Sequence, residues 1–299
     1  MNSSRFAALL LAVPAAAAFA QAPPGTDVHL APLAREEGVL QVGALVNVTD
    51  RPGYDNQPFF TPDGRGLLYS SQRDGQTDVY RHLLETGETE QVTDTPESEY
   101  SPTPLPDGSG ISVVRVEADE RQRLWRFDPD GGGAAVLLKD VEPVGYHAWV
   151  DEHRVALFVL GEPHTLRLAD LRTGAAETID GGIGRALHRV PGKAWISYTA
   201  RPDTSGPRWV RVLDPETKET DALAAMSGVG EDLAWTPWGS LLTVDGTVLK
   251  EASEASGWAW TEVADLADFG LAGGITRIAV SPAGDRLAVV AEEPAPETD

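Results

Sequence analysis

Ten side chains of this sequence are of types that bind or catalyse, and they share one place in a repeat: Asp55, Asn56, Glu99, Tyr100, Tyr146, His147, Arg185, Glu231, Asp232 and Arg277. Arg185 and Arg277 offer planar forks suited to a carboxylate or a phosphate. The acids could orient those forks or take a cationic group. Tyr100 and Tyr146 present flat apolar faces with a polar tip. Glu99, His147, Glu231 and Asp232 are also the groups that a hydrolase or lyase would use as a general base. The ten are spread over more than 200 residues of a 299-residue chain. Only a fold that returns repeatedly to the same point can gather them.

That return is legible. DNQPFFTPDG at 55–64 is answered by EYSPTPLPDG at 99–108, 44 residues later. Degraded copies follow at 145–152, 185–192, 232–239 and 277–284, most of them ending in glycine. A spacing near 44 residues is the size of one four-stranded propeller blade. The first copy holds the parts of such a blade: QPFF, then GLLYSSQ, TDVYRHLL and ETEQVTD, separated by the turns DG, RDG and ETG. Strands broken every eight to twelve residues by turn signals mean an all-β fold. The last copy has only two strands before the sequence ends, whereas TDVHLAPL (26–33) and LQVGALVNVTD (40–50) precede the first. Joining two N-terminal to two C-terminal strands closes a ring and removes exposed sheet edges. The expectation is an all-β, six-bladed β-propeller of four-stranded blades with a two-plus-two closing blade. The ten side chains then stand where innermost strands begin, around one mouth of the axis.

Residues 57–93, with QPFFTPDG, SSQRDG, DVY and GETEQVT, resemble the TolB-type propeller repeat, which is similar in shape to WD-repeat propellers. Residues 101–108 match that pattern in part, and later blades keep an apolar-[ST]-Pro-x-Gly core. The resemblance implies a periplasmic propeller. TolB proteins carry an α/β domain ahead of the propeller, and about six residues separate the expected cleavage site from the first strand here, so the chain reads as TolB-like rather than as TolB. Peptidases of the prolyl-oligopeptidase type share the propeller, but no G-x-S-x-G elbow is present.

Residues 1–20 read as a signal peptide: Arg5, an alanine-rich apolar run and AFA before Gln21. The propeller is expected over 21–294, followed by a disordered tail at 295–299. There is no cysteine, hence no disulfide and no thiolate site. A formal net charge of −22 repels nucleic acid and anionic membrane. No membrane insertion, metal or cofactor is expected, and the chain is read as a monomer. Asp128 and Asp130 in DPDGGG read as a hairpin turn rather than a calcium loop. His147 and His188 lack an evident third ligand for zinc. The eight tryptophans read as packing between blades, with Trp238 expected to be exposed. The function expected is that of an exported, non-catalytic binding module for an envelope protein or a small polar ligand. The alternative is a lactonase-, esterase- or lyase-like enzyme with its site in the funnel.

Overall fold

In the computed structural model, residues 24–201, 206–228, 230–271 and 274–293 are described. The signal peptide expected at 1–20 and the tail expected at 295–299 lie outside the described residues. The described chain forms six antiparallel sheets, the blades of one propeller. Blade 1 runs Asp55–Phe60, Gly66–Arg73, Gln76–Leu83 and Thr89–Gln91 from axis to rim. Blade 2 is Ser98–Pro104, Ile111–Val116, Gln122–Phe127 and Ala135–Val136. Blade 3 is Val144–Trp149, Arg154–Val159, Thr165–Asp170 and Ala175–Gly181. Blade 4 is Ile183–Arg189, Ile196–Ala200, Trp209–Leu213 and Thr220–Ala225. Blade 5 is Ala234–Trp235, Leu241–Asp245, Val248–Ala252 and Thr261–Asp265.

Blade 6 is the composite closing blade. Its inner strands, Ile275–Val280 and Arg286–Glu292, come from the C-terminal end. Thr26–Glu36 then pairs antiparallel with Arg286–Glu292 along Thr26–Pro32. The outermost position differs from the single strand expected over 40–50. Two short strands, Val39–Val42 and Val46–Asn47, each pair with a different part of Thr26–Glu36. Gly43 falls between them.

The repeated Pro-Asp-Gly is the hairpin turn between the first two strands of a blade. Gly64 adopts φ 68°, a left-handed conformation that glycine reaches without penalty. The Asp63 carboxylate accepts the Arg65 N–H at 3.0 Å. DPDGGG is likewise a hairpin turn, and among the described residues no group of three acids or histidines could hold a metal ion. No described helix is long and apolar enough to cross a membrane.

Propeller sheets are buried on both faces, so the strands read as apolar runs rather than as strict alternation. The core accordingly forms six clusters, and each straddles one seam between neighbouring blades. Val28, Ala288 and Val290 of blade 6 meet Phe60, Leu67 and Tyr69 of blade 1. Trp125, Trp149, Trp235, Trp258 and Trp260 join seam clusters as expected. Trp238 is 41% exposed.

The strand Arg286–Glu292 is hydrogen-bonded on both sides and its central valines are fully buried. Deleting residues 284–299 opens two seams at once. The truncated protein is expected to lose its single cooperative melting transition, followed by circular dichroism. A normal melt would contradict this closure.

Candidate functional site at the axial mouth

The innermost strands all begin at one end of the ring, and in five blades the backbone is irregular there. Register shifts fall between Asn56 and Phe59, Tyr100 and Thr103, Val144 and Tyr146, Ile183 and Leu187, and Ile275 and Arg277. A bulge adds a residue, bends the strand and re-aims the side chain beside it. In blades 1 and 2 the bulge holds Gln57 at φ 58° and Ser101 at φ 54°, each directly before the repeated proline. Gln57 Oε1 accepts the Ser101 N–H at 2.8 Å, which couples the two bulges. In blade 4 the position is Gly184. A Cβ there would run into Thr199, Arg208 and Glu231, so glycine lets those side chains close over the strand.

Past the bulges, side chains from distant blades meet. Arg277 of blade 6 donates from Nη2 to Tyr146 Oη of blade 3 at 2.9 Å, with its guanidinium 5.1 Å from the ring centre. Blades 3 and 6 are opposite one another in the ring, so this bond crosses the axis. Arg185 of blade 4 donates from Nη2 to the Thr276 carbonyl at 2.9 Å. Asp232 accepts the Ile278 N–H at 2.7 Å, and its other oxygen lies 3.6 Å from Arg277 Nη1. Glu231 stands between Arg185 Nε at 3.6 Å and Arg208 Nη1 at 3.2 Å. A cavity of about 60 Å³ opens between blades 4, 5 and 6, walled by Arg185, Glu231, Asp232, Thr276 and Arg277.

Burial raises the Asp232 carboxyl above its usual value, and Arg277 opposes that rise. Tyr54 stands near Tyr146, Arg277, Tyr100 and Arg185, and burial pushes its phenol well above the usual range. Burial, and after it the positive charge of Arg277, lower the His188 imidazole to about 4.

Of the ten sequence-selected residues, Tyr146, Arg185, Glu231, Asp232 and Arg277 converge. Tyr100 joins the rim, with its ring edge-on to Tyr54 at 6.4 Å and its hydroxyl 3.2 Å from Thr77 Oγ1. The other four are placed in seams, which corrects the expectation that they face the axis. Asp55 is fully buried and accepts from Arg51 at 2.9 Å, and Asn56 donates to Thr26 Oγ1 at 3.3 Å, both against blade 6. Glu99 is fully buried between blades 1 and 2, accepting from Thr95 Oγ1 at 2.6 Å and Thr93 Oγ1 at 3.2 Å, with Arg115 Nε at 3.3 Å. His147 shares a 2.7 Å hydrogen bond with Ser112 of blade 2 and is lowered to about 3 by burial. Tyr54 and Arg208 are the additions. Tyr54 precedes the repeated phrase by one residue, and Arg208 comes from the third strand's approach, a position the repeat does not mark.

Arg277 is only 9% exposed. Removing it would leave the part-buried Asp232 without its nearby cation and would cut the Tyr146 bond that crosses the axis, so a loss of stability is expected. Arg185, with its side chain 32% exposed, is the arginine that can be changed without that penalty.

No protein-family model matches the chain. TolB proteins of the Tol-Pal system from Bordetella pertussis and Bordetella parapertussis are each 42% identical to it over 41 residues, which is 14% of this chain and 9% of theirs. The solved structure of "putative TolB" from Agrobacterium tumefaciens superposes with a TM-score of 0.70 at 16% identity, over 91% of this chain and 100% of that one. The fold is that of a TolB-type propeller. TolB from Acinetobacter baumannii superposes with a TM-score of 0.59 at 17% identity, over 81% of this chain and 64% of its own. An oligogalacturonate lyase in complex with manganese gives 0.59 at 17% identity, over 90% and 91%. At such identities the fold is what is shared.

In this TolB-type propeller the Glu99 seam has a pH signature. Burial pushes the Glu99 carboxyl up to about 7, from a usual value of 4.5, with Asp78 as its neighbour. Between those two values the folded chain holds a proton that the unfolded chain releases. The associated stability is fully present below pH 4.5 and is lost as pH rises through 7. Glu99→Gln keeps the neutral form at every pH. Its melting temperature relative to the unaltered protein is expected to climb by roughly 5–10 °C between pH 5 and pH 8. A difference independent of pH would contradict the buried, protonated Glu99.

Proposed function

We propose that this chain is an exported, non-catalytic binding propeller of the periplasm, released from its leader near Ala20. It acts as a monomer and engages an envelope protein or a small polar ligand at the axial mouth. The observation that carries this reading is the division of labour among its polar groups. At the mouth, Arg185, Glu231, Asp232 and Arg277 hold one another in place around a shared cavity. Fixed donors and acceptors around a concavity are what binding requires. The groups best suited to move protons stand elsewhere. A general base must come within hydrogen-bond reach of the proton it takes. Glu99 and His147 are sealed in seams, so the hydrolase or lyase alternative would have to rely on Glu231 or Asp232, which already serve arginines, or on His188, lowered to about 4 and so a weak base. The TolB-type fold and the short stretch shared with Bordetella TolB support an envelope setting.

The test is crosslinking of the tagged protein in the envelope fraction of its source bacterium, with captured partners identified by mass spectrometry. Arg185→Ala perturbs the mouth, and Lys193→Ala, at the opposite end of blade 4, serves as control. A partner kept by the control and reduced at least tenfold by Arg185→Ala is expected. Partners retained equally by both variants would remove the mouth from the binding account.

A further inference from the structure

We propose that the mouth takes one compact oxyanion, the carboxylate or phosphate group of its ligand, between Arg185 and Arg277. This deepens the binding reading above and rests on it. Three observations carry the inference. The first is charge. Among the described residues, Arg185, Arg208 and Arg277 face two carboxylates, Glu231 and Asp232, in this half of the mouth. One positive charge is left over, inside a chain whose formal net charge is −22. Arg185 and Arg208 share Glu231 with side chains 32% and 20% exposed, so the surplus positive charge faces the mouth and is open to an anion from solution.

The second observation is the pair of idle donors. Arg185 Nε and Arg277 Nη1 are buried and have no hydrogen-bond partner among the described residues. Each lies 3.6 Å from its own acid, too far for a hydrogen bond. The acids therefore fix the two guanidinium groups without using up these N–H groups. Arg277 is more than nine-tenths buried, and both arginines line the same cavity of about 60 Å³. That is space for a group of a few atoms rather than for a whole side chain.

The third observation is the opposite wall. Tyr54, Tyr100 and Tyr146, from blades 1 to 3, face the charged half supplied by blades 4 to 6. The ligand's anionic end then sits among the arginines and its body lies against phenol rings. Because Glu231 and Asp232 already balance two of the three cations, a monoanion completes neutrality and a dianion exceeds it. A carboxylate is accordingly favoured over a phosphate dianion.

The experiment is isothermal titration at constant ionic strength with sodium acetate, inorganic phosphate, and tetra-alanine with either a free or an amidated C-terminus. The proteins are the unaltered mature chain, Arg185→Gln and Glu231→Gln, whose altered side chains are each about a third exposed, with melting curves confirming that both fold. The inference expects saturable binding of acetate and of free tetra-alanine, phosphate weaker, and amidated tetra-alanine at least tenfold weaker. Arg185→Gln should weaken carboxylate binding at least tenfold, and Glu231→Gln should tighten it severalfold by removing a competing negative charge. Phosphate tighter than acetate, with both lost in Arg185→Gln, would keep the oxyanion site and reassign its source. No saturable binding of any anion, binding unchanged in Arg185→Gln, or equal affinity for free and amidated peptide would overturn the inference. Partner capture that persists through such a failure would show that the mouth binds by other chemistry. Anion binding without any captured partner would instead remove the macromolecular part of the binding reading.

Discussion

The seam between two blades is the interaction on which everything else in this protein depends. Five blades are four-stranded meanders and the sixth is composite, and all carry apolar side chains on both faces, neither of which can be left in water. Burying one aliphatic or aromatic side chain stabilises by about 1.5–3 kcal/mol, and each seam buries several from both sides. The sixth seam exists only because Thr26–Glu36 docks on Arg286–Glu292. Stability is therefore a property of the closed ring rather than of any blade. The same closure fixes the distance across the axis, which lets Arg277 of blade 6 reach Tyr146 of blade 3.

The polar groups obey this constraint in two ways. Those that fall in seams become braces. Glu99 is caged by two threonine hydroxyls and Arg115, and His147 is joined to Ser112, onto which Trp149 Nε1 also donates at 2.9 Å. These bonds tie neighbouring blades together, while Arg115 Nε and His147 Nδ1 have no hydrogen-bond partner among the described residues. Those that fall past the bulges face the axis, where six strands converge and solvent enters. There they pair with one another across blades, and the pairs hold guanidinium groups in fixed orientations. Preorganisation of that sort lowers the cost of ordering side chains when a ligand arrives.

How much of this was legible in the sequence follows from what a repeat encodes. DNQPFFTPDG and EYSPTPLPDG mark blade length, turn and innermost strand, and the count of copies, with two stray strands at each end, yields the closed ring. The convergence of Arg185, Glu231, Asp232 and Arg277 follows from repeat position alone. The placement of Asp55, Asn56, Glu99 and His147 does not. In a strand, neighbouring side chains point to opposite faces, and the two faces of a blade lie in different seams, so one residue decides which neighbouring blade a side chain meets. Tyr146 and His147 are adjacent and go to different places for that reason. Bulges at Gln57 and Ser101 move that boundary, and a proline following a residue with positive φ is a weak signal in advance. Arg208 was not visible because it reaches the mouth through the room that Gly184 leaves, a consequence of packing rather than of pattern.

The central claim is that binding occurs at the end of the axis where the innermost strands begin. It is tested most directly by photo-crosslinking from fixed positions. A benzophenone side chain is placed at Thr276, at the mouth, or at Asp107, in the hairpin turn at the far end of an innermost strand, and cells are irradiated. The account predicts a discrete adduct from position 276 and none from position 107. Adducts from 107 alone, or from neither position while the intact protein still captures its partner, would contradict it.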